Sequence, residues 1–199
     1  TSPPCAKSLV TTRPAVDSQF HEGYCAMLDD GTVACWGSNQ FGQLGRGEAG
    51  GTADSATAAR VEGLSDIVQL DHTCAVDKDG SVWCWGTGAF LRNDAGASTT
   101  ERTPMKLSLP PVKRVATALD ATCAVVTDGS VLCWGNNSNG LLAPFEDSPS
   151  GAPTTIAIPA GAPIRELALG KAAFAVREDG TTLSWGALPP LGRISSLTP

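Results

Sequence analysis

The chain has 199 residues, of which 42% are apolar, and this is enough for one or two ordinary domains with a substantial core. Its 20 acidic and 14 basic residues give a formal net charge of −6, and the basic residues form no cluster, which argues against direct binding to nucleic acid. No apolar run is long enough for a membrane helix. The start at Thr1, with no Met before it, indicates a processed or trimmed N-terminus.

Residues 1–13 are predicted to form an extended lead-in or an edge strand, and residues 14–199 a series of repeats. The repeats are marked by a thirteen-residue pattern, CAMLDDGTVACWG in its first copy, that occurs four times and is altered in the last copy. The copies begin 49, 49 and 51 residues apart, a period that is typical of propellers and solenoids. They occupy residues 25–37, 74–86, 123–135 and 174–186.

Each copy is predicted to be a β-hairpin. Its acidic turn ends in a residue that tolerates positive φ, as a three-residue hairpin loop requires, and these residues are Gly31, Gly80, Gly129 and Gly180. Counting outward from the first turn places Met27 opposite Val33 and Cys25 opposite Cys35. Both faces of the hairpin are largely apolar, which suits a small sheet stacked between two similar sheets.

Six of the seven cysteines form three pairs with a spacing of ten residues. Directly opposed strand positions bring Cβ atoms to about 4.5–5.5 Å, so the hairpins predict disulfides within each pair. The fourth copy lacks both cysteines and has Phe174 and Ser184 instead, as expected if the two members of a pair depend on each other. The predicted bonds are Cys25–Cys35, Cys74–Cys84 and Cys123–Cys133.

Two other interpretations of the paired cysteines remain open. They could be reduced thiols buried in the core of a cytoplasmic protein. Zinc ligation is disfavoured, because a ten-residue spacing lacks the close ligand pairs of structural zinc sites. Disulfides would indicate an extracellular, periplasmic or cell-surface location. Cys5 is left over, and it is free, paired with a segment absent from this sequence, or bridged to a partner.

Further strands are predicted around each hairpin. Residues 14–24 hold the place before the first hairpin that residues 64–73, 112–122 and 164–173 hold before the others, and short apolar segments precede these, so each period offers four short strands. One tryptophan recurs near the end of every hairpin and is predicted to pack between blades; this set is Trp36, Trp85, Trp134 and Trp185. Irregular polar loops follow each Trp-Gly pair, and such loops on a rigid scaffold are common binding surfaces.

The motif C-A-x-x-x-D-G-x-V-x-C-W-G-x-N-x-x-G-Q-L-G, complete over residues 25–45, resembles the repeat of the regulator of chromosome condensation family. The resemblance extends over residues 14–193, although the end of the motif is degraded in the later copies. It implies an all-β propeller of four-stranded antiparallel blades, and family propellers typically have seven blades. The paired cysteines are similar to those of exported bacterial members.

The family's activities differ, so the resemblance selects none of them. They include nucleotide exchange, ubiquitin-ligase scaffolding, light sensing and inhibition of secreted enzymes. Four repeats fall short of seven, so the chain is expected to be part of a larger ring or assembly, its blade ends packed on other chains or on missing repeats. A ring of four blades that closes by itself is the alternative.

Catalytic residues are not expected in this chain. His21 and His72 have no nucleophile motif beside them, and the acidic pairs that could suggest calcium binding or glycoside hydrolysis all fall on hairpin turns, where Asp is favoured for its hydrogen bonds to the backbone. We therefore expect no catalytic, cofactor or metal site.

The expected function is that of a non-catalytic, secreted or cell-surface scaffold for protein–protein interaction, including a structural subunit of a larger assembly. The alternative is a propeller-type inhibitor of a secreted enzyme or a carbohydrate-active enzyme. That alternative requires an aromatic or acidic cluster at one mouth of the ring.

Overall fold

The computed structural model describes residues 3–12, 21–91, 99–118, 121–137, 140–142 and 150–186. Within these ranges the chain is almost entirely β-structure, with single 3₁₀ turns at Glu48–Gly50 and Ala89–Leu91. The strands are β1 (Ala6–Thr11), β2 (Gly23–Leu28), β3 (Val33–Gly37), β4 (Ser55–Arg60), β5 (Ile67–Asp71), β6 (Cys74–Asp77), β7 (Val82–Gly88), β8 (Thr99–Lys106), β9 (Val112–Ala118), β10 (Ala121–Val126), β11 (Val131–Asn136), β12 (Ser150–Thr155), β13 (Ile164–Leu169), β14 (Ala172–Arg177) and β15 (Thr182–Gly186).

The strands form four antiparallel sheets, each a simple meander. Strands β1–β4, β5–β8, β9–β12 and β13–β15 make up sheets that we call blades 1 to 4, and the part of blade 4 that the structure describes has three strands. The first strands of successive blades contact one another, so they lie closest to the centre. The all-β propeller predicted from the repeat is confirmed.

The hairpin at the centre of each blade has the register that counting from the turn predicts. Met27 is opposite Val33 and Cys25 is opposite Cys35. The three disulfides join Cys25–Cys35, Cys74–Cys84 and Cys123–Cys133, with Cα atoms 4.0–4.2 Å apart, and in the fourth blade Phe174 faces Ser184. The four turn glycines have φ between 75° and 94°.

The alignment of the four repeats with one another places the first strand of blade 1 in the wrong segment. Residues 14–24 are predicted to hold that strand, but β1 at Ala6–Thr11 pairs with β2, with Leu9 opposite Ala26. Gly23 and Tyr24 already belong to β2, and residues 13–20 lie outside the described ranges. The segment interpreted as a lead-in or edge strand therefore supplies the innermost strand of blade 1.

Neighbouring blades pack by one rule. The side of a blade that carries the disulfide, here called its cysteine face, lies against the side of the next blade that carries the repeated tryptophan, its tryptophan face. Cys25 and Cys35 pack in one core with Trp85, and the same arrangement joins blade 2 to Trp134 and blade 3 to Trp185. No such core joins blade 4 to blade 1 among the described residues, so the described part of the propeller is an arc that is open between these two blades.

The aspartates of the hairpin turns are used for turn chemistry. Asp30 Oδ1 accepts hydrogen bonds from the hydroxyl of Thr32 at 2.6 Å and from its backbone N–H at 3.1 Å. Asp128 accepts the same two bonds from Ser130. The two bonds from Thr32, first the one from its hydroxyl, lower the pKa of Asp30 below its ordinary value, and Arg60 lowers it further.

The first prediction concerns the disulfides. Replacing Cys74 and Cys84 together with alanine should lower the free energy of unfolding by about 2–3 kcal/mol, because the open chain gains conformational entropy when unfolded. Urea unfolding of the oxidised protein measures this, with Cys5→Ser as the control, since Cys5 is exposed and unbonded. Equal midpoints for the double variant and the parent, or free thiols in non-reducing peptide mapping, would contradict the bond.

The second prediction concerns acid. A carboxylate whose pKa is lowered by folding stabilises the protein above its unfolded pKa and loses that contribution as the pH falls through the folded pKa. Asp30→Ala should therefore be less stable than the parent at pH 7, and the difference should shrink at pH 2. Denaturant midpoints at both pH values measure this. Glu62→Ala, which removes an exposed carboxylate of the linker after blade 1, controls at pH 7 for the loss of a surface negative charge.

Candidate interaction surfaces

The repeated tryptophans hold successive blades together through the same hydrogen bond. The indole N–H of Trp85 donates to the carbonyl oxygen of Gln43 at 2.9 Å, that of Trp134 to Phe90 at 2.8 Å and that of Trp185 to Leu141 at 3.1 Å. In each case the acceptor lies in the loop that follows the Trp-Gly pair of the preceding blade, and the indole is fully buried. Each tryptophan thus depends on the blade before it.

Trp36 carries the same motif but has no blade before it in the described part of the chain. It is half-buried and stacks on Tyr24, with ring centroids 5.9 Å apart. Leu9, on the same side of the sheet, is 61% exposed. We call this side of blade 1, formed by Leu9, Tyr24, Ala26, Ala34 and Trp36, the open tryptophan face. Leu9 is exposed on this face, Tyr24, Ala34 and Trp36 are half-buried, and Ala26 is buried, so the face is apolar and partly exposed. Apolar surface of this kind is a candidate interaction site.

The opposite end of the arc has a different chemistry. On the cysteine face of blade 4, Phe174 and Ser184 replace the disulfide, and Thr182 stands where blade 1 has Val33. Thr182 is exposed, whereas Val33 is fully buried. The face is more polar than those of blades 1 to 3, although Ser184 itself is buried. The two ends of the arc are therefore not equivalent, and the apolar end is blade 1.

The loop after the first Trp-Gly pair is ordered by its own side chains. Asn39 Oδ1 accepts the backbone N–H of Leu44 at 3.0 Å, and Asn137 does the same for Leu142 at 2.9 Å in blade 3. Asp54 accepts bonds from the hydroxyl of Ser38 and the N–H of Asn39. These polar residues shape the loops that supply the carbonyl acceptors. The sequence signal was present, as Asn recurs two or three residues after Trp-Gly, but its role was not evident without the fold.

A shallow cleft of about 460 Å³ opens on the loop side of blade 1, lined by residues that include His21, Glu22, Ser38 and Asp54. The ring of His21 packs on Phe41, with centroids 6.2 Å apart. Within the described ranges, no group of three or more His, Cys, Asp and Glu side chains is arranged to hold a metal ion. The bonds of Ser38 and Asp54 are those of a loop brace, and they do not form a nucleophile–base pair.

The inner strands β1, β5, β9 and β13 carry no aromatic residue. Two polar side chains of β5 are used to join blades: Gln69 exchanges two hydrogen bonds with the backbone of Val115, and Asp71 accepts the N–H of Thr117 at 2.7 Å. Burial raises the pKa of Asp71, and the backbone bonds oppose that shift. These acceptors and donors belong to the contact between blades 2 and 3.

The fold and the face-to-face packing define the class of protein, a β-propeller built of sequence repeats with disulfide-linked hairpins. The repeats are of a known kind. Residues 21–43, 70–91 and 112–141 match the family model described as the Regulator of chromosome condensation (RCC1) repeat. The resemblance of the repeat motif is confirmed over these three segments. No curated protein sequence matches the chain.

Solved structures share the fold. Human WBSCR16 is 23% identical, with a TM-score of 0.73 over 89% of this chain and 48% of its own. Prp20p from Saccharomyces cerevisiae is 27% identical, with a TM-score of 0.68 over 82% of this chain and 41% of its own. That protein is described with binding properties to Gsp1p and histones. Yeast RCC1 (Prp20) bound to Kap60 gives a TM-score of 0.69 at 24% identity, over 82% and 40%. The chain thus spans less than half the length of each.

A third prediction follows from the tryptophans. Trp85→Phe should lower the free energy of unfolding by about 2–4 kcal/mol, because it leaves the buried carbonyl of Gln43 without its donor and removes core volume. Trp36→Phe, the same change at the same repeat position, should cost less than about 1 kcal/mol, because the ring is only half-buried and no blade covers it among the described residues. Urea unfolding of both variants measures the contrast. Equal losses would show that the preceding blade is not what the buried tryptophans depend on.

Proposed function

We propose that this protein is a non-catalytic β-propeller scaffold for protein–protein interaction and an exported member of the RCC1 repeat family. One observation carries the proposal: the open tryptophan face presents the same apolar surface that every other blade of the chain buries against a neighbour. A surface built for such packing and not covered by any described blade suits a blade of another chain or a further repeat of the same protein.

The partner's chemistry follows from the three internal contacts. In each of them a tryptophan face meets an apolar sheet face, and a loop carbonyl accepts the indole hydrogen. We therefore propose that the open tryptophan face binds an apolar β-sheet face of a partner, such as the cysteine face of another propeller blade. The outer face of blade 4 is a poor substitute because of its exposed Thr182, so end-to-end stacking of identical chains is disfavoured.

The location proposed is outside the reducing cytosol, at the cell surface, in the periplasm or in the extracellular space. Three buried disulfides in hairpins support it. No helix in the described ranges is long and apolar enough to cross a membrane. The yeast relative's binding of other proteins agrees with a binding role, and its partners are not transferred to this chain.

The inhibitor and carbohydrate-active alternatives gain no support from the described residues. Both require an aromatic or acidic cluster at one mouth of the ring. The inner strands have no aromatic side chain, and the buried carboxylate of Asp71 is engaged by the backbone of Thr117. Turn aspartates such as Asp30 are likewise engaged by their own turns.

The test uses the two large apolar residues that are most exposed, Leu9 at 61% and Val68 at 55%. A protein that co-purifies from the native source is identified and then purified, and its binding is measured by calorimetry. Leu9→Lys should weaken the affinity at least tenfold, because it places a charge in the open tryptophan face. Val68→Lys, on the inner strand of blade 2, should bind like the parent.

Equal binding by the two lysine variants would refute the assignment of the surface. A monomer that retains no protein partner from its native source, with unchanged stability on Leu9→Lys, would refute the scaffold function itself.

A further inference from the structure

The junction between blades 3 and 4 is open at the hairpin-turn end, unlike the other two junctions. Between blades 1 and 2, Ile67 N–H donates to the carbonyl of Gly31 at 2.8 Å, and between blades 2 and 3, Val112 N–H donates to Gly80 at 2.9 Å. A Cβ on Gly31 or Gly80 would lie about 3 Å from the next blade, at 3.1 and 2.9 Å respectively. At Gly129 nothing lies within 4 Å of that position.

The opening coincides with a longer linker. We measure each linker from the last backbone hydrogen bond of the outer strand to the first residue of the next inner strand. The linker before blade 4 has nine residues, 156–164. The linkers before blades 2 and 3 have seven, 61–67, and six, 107–112. The linker before blade 4 is thus two to three residues longer than the other two, and the last period, at 51 residues, is two residues longer than the periods before it. The longer linker forms one wall of a cleft of about 290 Å³, and the turn of blade 3 forms the other.

A buried arginine lines this cleft. Arg177 is 6% exposed, its Nη1 donates to the carbonyl of Ala160 at 3.2 Å, and its Nη2 donates to that of Pro159. Its Nε has no hydrogen-bond partner, and among the described residues no carboxylate forms an ion pair with it. Hydrogen bonds from Thr181, first among the causes, and the charge of Arg177 lower the pKa of Asp179, but Asp179 forms no ion pair with the guanidinium. Burying a cation without a paired anion is costly, so an anion bound in the cleft would be stabilised.

The position of Arg177 is unusual among the four blades. It ends the strand that enters the hairpin turn, where blades 1 to 3 have Leu28, Asp77 and Val126. The guanidinium lies directly against Gly161, where any Cβ would collide with it. Arg177 is thus fixed by the carbonyls of the linker and lines the cleft at the open junction. A fixed cation in a cleft is a candidate anion-binding group.

The charges and the walls of the cleft define the ligand. Lys113 and Arg177 are cationic, and Asp128 is anionic; hydrogen bonds, first that from the Ser130 hydroxyl, lower the pKa of Asp128 and keep it ionised. The net charge of +1 suits a monoanion better than a doubly charged phosphate. The planar guanidinium matches a carboxylate. Aliphatic residues such as Ile158 and Ala162 line the rest of the cleft.

We propose that this cleft binds a carboxylate with a short aliphatic body, anchored by Arg177. The chemistry is shared by the C-terminal carboxylate of a polypeptide that ends in an aliphatic residue and by a small aliphatic acid. The cleft is separate from the open tryptophan face, and the proposal does not depend on the proposed function.

Backbone amide chemical shifts of Gly129, Gly161 and Ala162 in the ¹⁵N-labelled protein test this. The probes are butyrate, an N-acetylated tetrapeptide ending in a free leucine carboxylate, the same peptide with a C-terminal amide, and inorganic phosphate. Saturable shifts are expected with butyrate, with the peptide acid or with both, and the two arms distinguish the sources. The amidated peptide and phosphate should produce none.

Two variants locate the anchor. Arg177→Leu should abolish the saturable shifts, whereas Arg165→Leu, which removes the same charge from an exposed side chain paired with Glu166, should retain them. Lys113→Gln, at an exposed position, should weaken binding several-fold and serves if Arg177→Leu fails to fold. Shifts from neither carboxylate up to about 10 mM, or equal shifts with the amidated peptide, would overturn the proposal and leave Arg177 as a tether of the linker.

Discussion

The packing of a tryptophan face on the cysteine face before it is the contact on which the rest of this structure depends. Each instance combines apolar burial with one indole–carbonyl hydrogen bond in a water-free setting, where an unmade bond would be costly. Because the contact joins only neighbours, stability is a sum of blade terms and interface terms. The disulfides strengthen blades 1 to 3 from within, and their cysteines pack in the same core as the tryptophan of the next blade.

This rule gives the two ends of the arc different properties. Blade 4 ends in a face with Thr182 and Ser184 in place of the apolar set, whereas blade 1 begins with a stacked Tyr24–Trp36 pair and an exposed Leu9. The same kind of surface that packs one blade on the next inside the array is available at blade 1 for binding a partner. The proposed scaffold function therefore needs no further binding site, because the tryptophan face that packs three times within the chain is also present on blade 1 without a described neighbour.

The third junction shows how a small change in repeat length creates a new surface. Two of the junctions are closed at the turn end by a backbone bond to a glycine carbonyl, Gly31 or Gly80, and their linkers are short. The longer linker before blade 4 leaves room beside Gly129, and Arg177 lies there without an ion pair to any described carboxylate. Repeat arrays acquire binding sites where one unit departs from the rule that the others follow.

The sequence by itself determined the repeat, the hairpin turns, the register and the pairing of Cys25 with Cys35, because a short loop and a side-chain period of two fix these locally. It did not place β1 at Ala6–Thr11, since strand pairing across a variable connection is set by the sheet and not by the local pattern. Only the tertiary structure decided that Trp36 is half-buried while Trp85 is fully buried. The two residues share one motif. Their burial differs because a described blade precedes Trp85 and none precedes Trp36, and the motif does not encode the presence of a preceding blade.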